Sequence, residues 1–318
     1  MPKKIENLTL LGCRYTTGDA LRGLARLGYP PSSCITITRE EAASKRVIGY
    51  ADLAPLCREL DIELDVVDSY GLTSDKSRDV VLRKKRRLLL LAGWGRLVPP
   101  WFLDSLELGA YSVHTAGLPL PFGRGHAPIN WSLALGMRRL FSQLFRLVEE
   151  PDRGLIAGVL PFDVTPQDDA NTLHFKNSLA RMELYRRHLP DMLDDSIELR
   201  RQAGFMDTWL HRRGDADNML DWNQTAESVC DVIRAMTRPY QGAKTNLMTE
   251  QIEQMVVWRA VPAGAALSPV GGTPGEIVTV FESGEFLVHA SDACVLVIDY
   301  EGRRLKQADI GRRLSCAV

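Results

Sequence analysis

Four consecutive leucines, Leu88–Leu91, run into Ala92 and the turn Gly93-Trp-Gly95. A continuous apolar run of strand length, closed by a turn, fits a strand buried on both faces, as happens where helices cover both sides of a parallel sheet. The order of the preceding segments agrees. Asn7–Cys13 is apolar and strand-length, Thr17–Leu27 carries apolar residues at helical spacing, and Cys34–Thr38 alternates after the turn Gly28-Tyr-Pro-Pro31. A helix near Asp52–Leu60, a strand at Glu63–Val67 and a helix around Asp75–Arg86 continue the alternation. Strands alternating with helices predict an α/β architecture whose ligand sites form at the carboxyl ends of strands. The turn at Gly93 and the segment ending at His114 are two such ends.

Further along, a helix begins near Pro128, an antiparallel pair spans Ser142–Val148 and Ile156–Phe162, and a helix runs from about Thr172 to Leu189. Periodicity weakens from Pro190 through Gly214, which reads as a connection and sets a boundary near 205. Beyond it an amphipathic helix over Thr225–Met236, capped by Asn223 or Thr225, precedes Pro239. Short β-prone segments then dominate: Gln254–Ala260, Gly275–Phe281, Phe286–His289 and Ala293–Tyr300, separated by glycine-containing turns. That spacing suggests a small barrel.

Charge disfavours one class of partner. The 318 residues hold 39 basic and 40 acidic side chains, so no net field holds the chain on a polyanion. The one dense basic run, Arg83-Lys-Lys-Arg-Arg87, reads as a solvated helix end. Six cysteines stand singly with no CxxC pair and no zinc-ligand spacing, which fits buried, reduced thiols, a cytoplasmic location and no metal. No segment approaches the ~20 apolar residues of a bilayer span, and the first residues lack the pattern of a secretory signal.

Tyr111-Ser-Val-His114 closes a short β-prone segment, and the loop Leu120-Pro-Phe-Gly-Arg-Gly-His-Ala-Pro-Ile-Asn-Trp131 follows. Proline and glycine in such a loop let peptide groups approach a ligand closely. The stretch resembles the signature of folate-dependent N-formyltransferases, in which Asn-x-His at a strand end is followed by Leu-Leu-Pro, Arg-Gly and Pro-x-x-Trp. The counterparts here are Ser112-Val-His114, Leu118-Pro119 or Leu120-Pro121, Arg124-Gly125 and Pro128-Ile-Asn-Trp131. Leu220-Asp-Trp222, Ile233-Arg-Ala235 and Pro239-Tyr-Gln-Gly242 are similar to that family's link into its second domain. The resemblance therefore implies a Rossmann-like formyltransferase domain over 1–205, and a linker helix with an OB-like β-barrel over 206–318.

Moving a formyl group from N10 of a reduced folate to an amine needs an uncharged nucleophile, a donor for the oxyanion and a proton route between two nitrogens. A histidine near neutrality, a polar donor and a carboxylate supply these. By the resemblance, His114 is the histidine, and Asp152, 38 residues downstream in Asp152-Arg-Gly154, is the aspartate. Ser112 stands where the family has Asn; its hydroxyl still donates one hydrogen bond, at shorter reach. Ala92, Gly93, Trp94, Gly95, Arg96, Leu97 and Val98 occupy the place where the family reads a pterin through backbone groups. Arg124, Gly125 and His126 form the substrate loop, in which Arg124 either organises the loop or meets an anionic substrate. His174 reads as structural, Thr172 as a helix cap, and Asp168 with Asp169 as a solvated helix lead-in.

The implied reaction is transfer from N10-formyltetrahydrofolate to a primary amine, foremost that of a nucleotide-linked amino sugar. Methionyl-tRNA is the alternative acceptor, disfavoured by the near-neutral charge. A folate-binding scaffold without catalysis is the third reading, which Ser112 keeps open. The β-edges of the second domain offer a surface for a homodimer.

Overall fold

The computed structural model describes residues 5–204, 206–269 and 271–316. Phe205, at the expected boundary, lies outside them. By spatial contact the chain forms two compact units. One gathers the chain up to Gly125, Phe141–Phe162 and Phe175–Trp209, and the other His126–Leu140, Asp163–His174 and the chain from Leu210 onward.

The first unit is built on strands β1 (Ile5–Leu11), β2 (Pro31–Ile37), β3 (Glu63–Val67), β4 (Leu88–Leu91) and β5 (Gly109–Ala116). Its helices are α1 (Tyr15–Arg26), α2 (Arg39–Ser44), α3 (Ala54–Glu59), α4 (Asp75–Leu82) and α5 (Pro100–Asp104). The short strand β6 (Arg124–Gly125), helix α6 (Pro128–Ala134), strands β7 (Arg139–Arg146) and β8 (Ile156–Asp163) and helix α7 (Ala170–Leu193) follow in the chain. Among the described residues the sheet has seven strands in the order β3-β2-β1-β4-β5-β7-β8. The first five are parallel, and β7 runs antiparallel to β5 with His114 opposite Gln143 and Ser112 opposite Phe145.

The four leucines decide how this sheet is covered. Leu88 and Leu90 pack with Leu8, Leu10, Leu21, Leu24 and Leu184 on one face. Leu89 and Leu91 pack with Ile35, Ile37, Val81 and Phe102 on the other. Burial of each is worth about 2 kcal/mol, so β4 anchors both helix layers. The chain starts in mid-sheet, winds outward through β2 and β3, and returns beside β1 as β4. That reversal puts the topological switch point of the sheet between β1 and β4.

The basic run is a solvated face only in part: the Lys85 and Arg83 side chains are 73% and 52% exposed, but Arg86 is buried. Asp65, fully buried on β3, takes Arg86 at 2.7 Å, Lys84 at 3.0 Å and Arg83, while Arg87 and Lys85 pair with Glu107. Burial alone pushes the Asp65 carboxyl up, but the bonds from Lys84, Arg86 and Arg83 outweigh it and hold it below its ordinary value.

Strand β9 (Trp209–Leu210) pairs with β6. The second unit is built on α8 (Ala226–Met236) and strands β10 (Ala243–Met248), β11 (Ile252–Pro262), β12 (Ile277–Val280), β13 (Phe286–His289), β14 (Cys294–Glu301) and β15 (Leu314–Ser315). Thr225 caps α8, its hydroxyl accepting the Ser228 N–H at 3.2 Å. The strands form an antiparallel sheet in the order β12-β13-β14-β11-β10-β15. It curls into a half-barrel. Glu276 bridges Arg313, and Leu314 N–H donates to Gly275 O at 2.7 Å, so the last strand touches both ends of the sheet. Ile233, Leu247, Val257, Phe286 and Val295 fill its core.

Two smaller expectations change. Asp169 caps α7, accepting the Thr172 N–H at 2.8 Å while Thr172 Oγ1 accepts the Asp169 N–H at 2.9 Å, so Thr172 is the third residue of a reciprocal box. Asp168 is buried and accepts the Thr165 N–H at 2.7 Å. His174 bonds to Tyr240 Oη at 2.6 Å.

Candidate active site

Side chains two apart on a strand share a face, and Ser112 and His114 accordingly line one cavity of about 150 Å³ beside β5. Leu91, Trp94, Arg96, Leu97, Val98 and Leu103 line it from β4, the loop after it and α5. The segment after β7 returns over the same face and adds Val148, Glu149 and Asp152. All of these residues belong to the first unit.

His114 is only 7% exposed, and its Nε2 lies 2.9 Å from the backbone oxygen of Gly123. A carbonyl oxygen only accepts, so Nε2 carries the hydrogen and the neutral ring holds its lone pair on Nδ1. Nδ1 faces Asp152 Oδ1 at 3.8 Å. Two acceptors at that separation make no hydrogen bond with each other, but a proton reaching Nδ1 meets a carboxylate. Burial lowers the His114 pKa below its ordinary 6.5, and the Asp152 charge and the Gly123 carbonyl offset part of that.

Asp152 is held from both sides. Its Oδ2 accepts the Gly125 N–H at 3.0 Å, and its backbone sits in the left-handed region at φ 55°. Gly154 closes the turn under a strict constraint, because a Cβ there would meet Arg146 O at 1.6 Å.

The loop after β4 divides into a scaffold part and a cavity part. Ala92 O accepts from Thr17 Oγ1 at 2.6 Å, Gly93 O accepts from Cys13 N–H at 3.3 Å, and Gly95 N–H donates to Tyr70 Oη at 2.8 Å. A Cβ on Gly93 would lie 2.7 Å from both Thr16 Oγ1 and Thr17 Oγ1, at a φ of +75°. Of the seven expected loop residues, Trp94, Arg96, Leu97 and Val98 line the cavity; Ala92, Gly93 and Gly95 set its backbone.

The expected substrate loop divides likewise. Arg124 is 4% exposed, binds Asp207 through Nη1 and Gln202 through Nη2, and lies 5.8 Å from the centre of the Trp209 ring. It organises the loop. His126 is exposed, donates its backbone N–H to Leu210 O at 3.0 Å, groups with the second unit, and does not line the cavity. Gly123, Gln202 and Asp207 were not singled out by sequence pattern: one acts through a main-chain oxygen, and the other two lie in the aperiodic stretch after α7. Among the described residues no group of three or more His, Cys, Asp or Glu side chains is placed to hold a metal ion, and no helix is long and apolar enough to cross a membrane.

The family model described as formyl transferase matches residues 40–189, and the one described as formyl transferase, C-terminal domain, matches residues 214–312. The chain belongs to the formyltransferase family. Members of this family are enzymes that transfer formyl groups. This formyltransferase is 27% identical over 311 residues to methionyl-tRNA formyltransferase of Bacillus subtilis (strain 168), covering 97% of this chain and 95% of that one. Among solved structures, the N-formyltransferase from Helicobacter canadensis, in complex with folinic acid and dTDP-3-aminofucose, superposes with a TM-score of 0.64 at 12% identity, covering 93% of this chain and all of that one. HypX from Aquifex aeolicus in complex with tetrahydrofolic acid superposes with a TM-score of 0.63 at 15% identity over 93% of this chain. The formyltransferase spans 44% of HypX. These two likenesses are likenesses of fold.

Proposed function

We propose that this formyltransferase moves the formyl group of N10-formyltetrahydrofolate to the primary amine of a nucleotide-linked amino sugar, with His114, Asp152 and Ser112 as the reacting wall of the cavity. The observation that carries the reading is the lone pair of His114 Nδ1 facing Asp152 across 3.8 Å. The neutral amine attacks the formyl carbon, and Nδ1 takes the proton the new C–N bond makes acidic. Asp152 stabilises the imidazolium so formed, as a paired carboxylate does. The Ser112 hydroxyl donates to the oxygen that gains charge. The proton on Nδ1 then passes to N10 as the old C–N bond breaks, and tetrahydrofolate leaves. Trp94 and Arg96–Val98 flank the pterin, and Arg124 and Gly125 hold the loop beside it. Catalysis is assigned to residues 1–205, and residues 206–318 form the OB-like C-terminal domain.

The sugar nucleotide as acceptor is supported by the near-neutral charge and by the fold shared, along the full length, with the Helicobacter enzyme. Methionyl-tRNA is the second reading, and the 27% identity to the Bacillus enzyme favours it. Five buried free cysteines fit a reducing cytoplasm. The test is release of tetrahydrofolate from N10-formyltetrahydrofolate in the presence of amino-sugar nucleotides or of methionyl-tRNA, at two salt concentrations. Turnover with a sugar nucleotide that changes little with salt supports the first reading, whereas turnover confined to tRNA and falling steeply with salt selects the second. No release with any amine alongside tight folate binding leaves only a scaffold.

A further inference from the structure

Gln202 lies in the connection after α7, a stretch that falls between the two family-matched segments. Its carboxamide is fully committed. Nε2 donates to Asp152 O at 2.7 Å and to Gly154 O at 2.9 Å, and Oε1 accepts from Arg124 Nη2. One side chain thus grips the turn carrying Asp152 at both of its ends and ties it to Arg124.

Arg124 extends the grip to the histidine. Its strand is pinned to the same connection, with Arg124 N–H donating to Thr208 O at 3.0 Å and Gly123 N–H donating to Thr208 Oγ1 at 2.8 Å. Gly123 O is the acceptor that orients His114, and Gly125 N–H is the donor on Asp152. Asp207 binds both Arg124 and Arg153, the residue between the two gripped carbonyls. Asp152 takes the left-handed conformation that an aspartate tolerates in a turn, and these bonds fix it there.

We propose that Gln202 is a positioning residue of the formyl transfer: through the 152–154 turn and Arg124 it sets the distance between Asp152 and His114. The inference rests on the reading of those two residues given above. Gln202, Asp207 and Thr208 are then part of the catalytic apparatus rather than of a passive connection. Only an amide of this length supplies two donors to the turn and one acceptor to Arg124.

The test compares wild type with Gln202→Leu, Gln202→Glu, Asp152→Asn and the Gln202→Leu, Asp152→Asn pair in the full chain. Turnover and KM for N10-formyltetrahydrofolate are followed across pH, together with thermal unfolding. A misplaced catalytic group costs on the order of 100-fold in rate. Gln202→Leu is expected to lower kcat by about 10- to 100-fold with the folate KM within about twofold, and to shift the acid limb of the profile downward as Asp152→Asn does. The double variant should add little to Asp152→Asn. Gln202→Glu, which keeps the acceptor and loses the donors, should fall with Gln202→Leu. Unchanged kcat and pH profile in Gln202→Leu, with Asp152→Asn impaired, overturns the proposal and leaves the functional reading intact. A loss in Gln202→Leu that merely tracks its unfolded fraction, with an unshifted profile, also overturns it. Should Asp152→Asn itself retain full activity, the functional reading falls, and the proposal with it.

Discussion

His114 Nδ1 stands 3.8 Å from Asp152 Oδ1, too far for a hydrogen bond and close enough for the two charges of a protonated pair to attract. A His114→Gln substitution keeps a donor for Gly123 O and removes the basic nitrogen. We expect kcat to fall about 1,000-fold, the scale of a lost general base, measured as tetrahydrofolate release.

Acid dependence separates the two members of the pair. Burial first, against the Asp152 charge, places the folded His114 pKa below 6.5, so the inflection that His114 contributes to the acid limb of kcat/KM falls below pH 6.5, separate from that of the amine. Asp152→Asn removes the charge that raises that pKa, and the limb should move to still lower pH. The amine titrates identically with both proteins, so the difference between the profiles belongs to His114. A shift to higher pH in the variant contradicts the pairing.

Ser112 faces the cavity from the position directly across from Phe145. Ser112→Ala deletes one donor and should lower kcat about tenfold, the equivalent of one modest hydrogen bond. Ser112→Cys, of similar size and a weak donor, should fall between the two. Equal rates for all three would show that the hydroxyl takes no part.

Asp65 and Arg86 form a second close pair, and this one bears on stability. Both side chains are buried, at 0% and 3% exposure, so Asp65→Ala strands a guanidinium in the core and should cost about 3 to 5 kcal/mol in denaturant unfolding. The folded Asp65 pKa is depressed, so the contribution is complete above its unfolded value near 3.8 and disappears as pH falls through the lower folded value. The stability gap between wild type and variant should accordingly narrow only below pH 3.8.

Gly154→Ala tests the turn itself. A Cβ 1.6 Å from Arg146 O forces the turn to move, and we expect a loss of about 3 kcal/mol with a drop in kcat beyond what unfolding explains. Wild-type melting and turnover in this variant would mean that the turn accommodates the methyl group without displacing Asp152.

Much of this could be read in the residues, for reasons that differ from place to place. Leu88–Leu91 announced a two-faced central strand because hydrophobic continuity is a local property, and Phe286–His289 is found where β-branched and aromatic residues predict it. His114 and Asp152 are singled out through the resemblance to the folate-dependent N-formyltransferase signature, and nothing in their spacing dictates that they meet. The partners of the basic run were hidden because Asp65 acts across the fold, with no i to i+4 relation to mark it. Gln202 was hidden twice: its segment lacks periodicity, and its targets are main-chain oxygens that carry no residue identity.

The main-chain groups of Ala92, Gly93 and Gly95 are already bonded to Thr17, Cys13 and Tyr70 before any ligand arrives. The receptacle beside them is thus cast in advance, and donor analogues should rank by complementarity to a fixed mould, with little ordering penalty to mask differences between them.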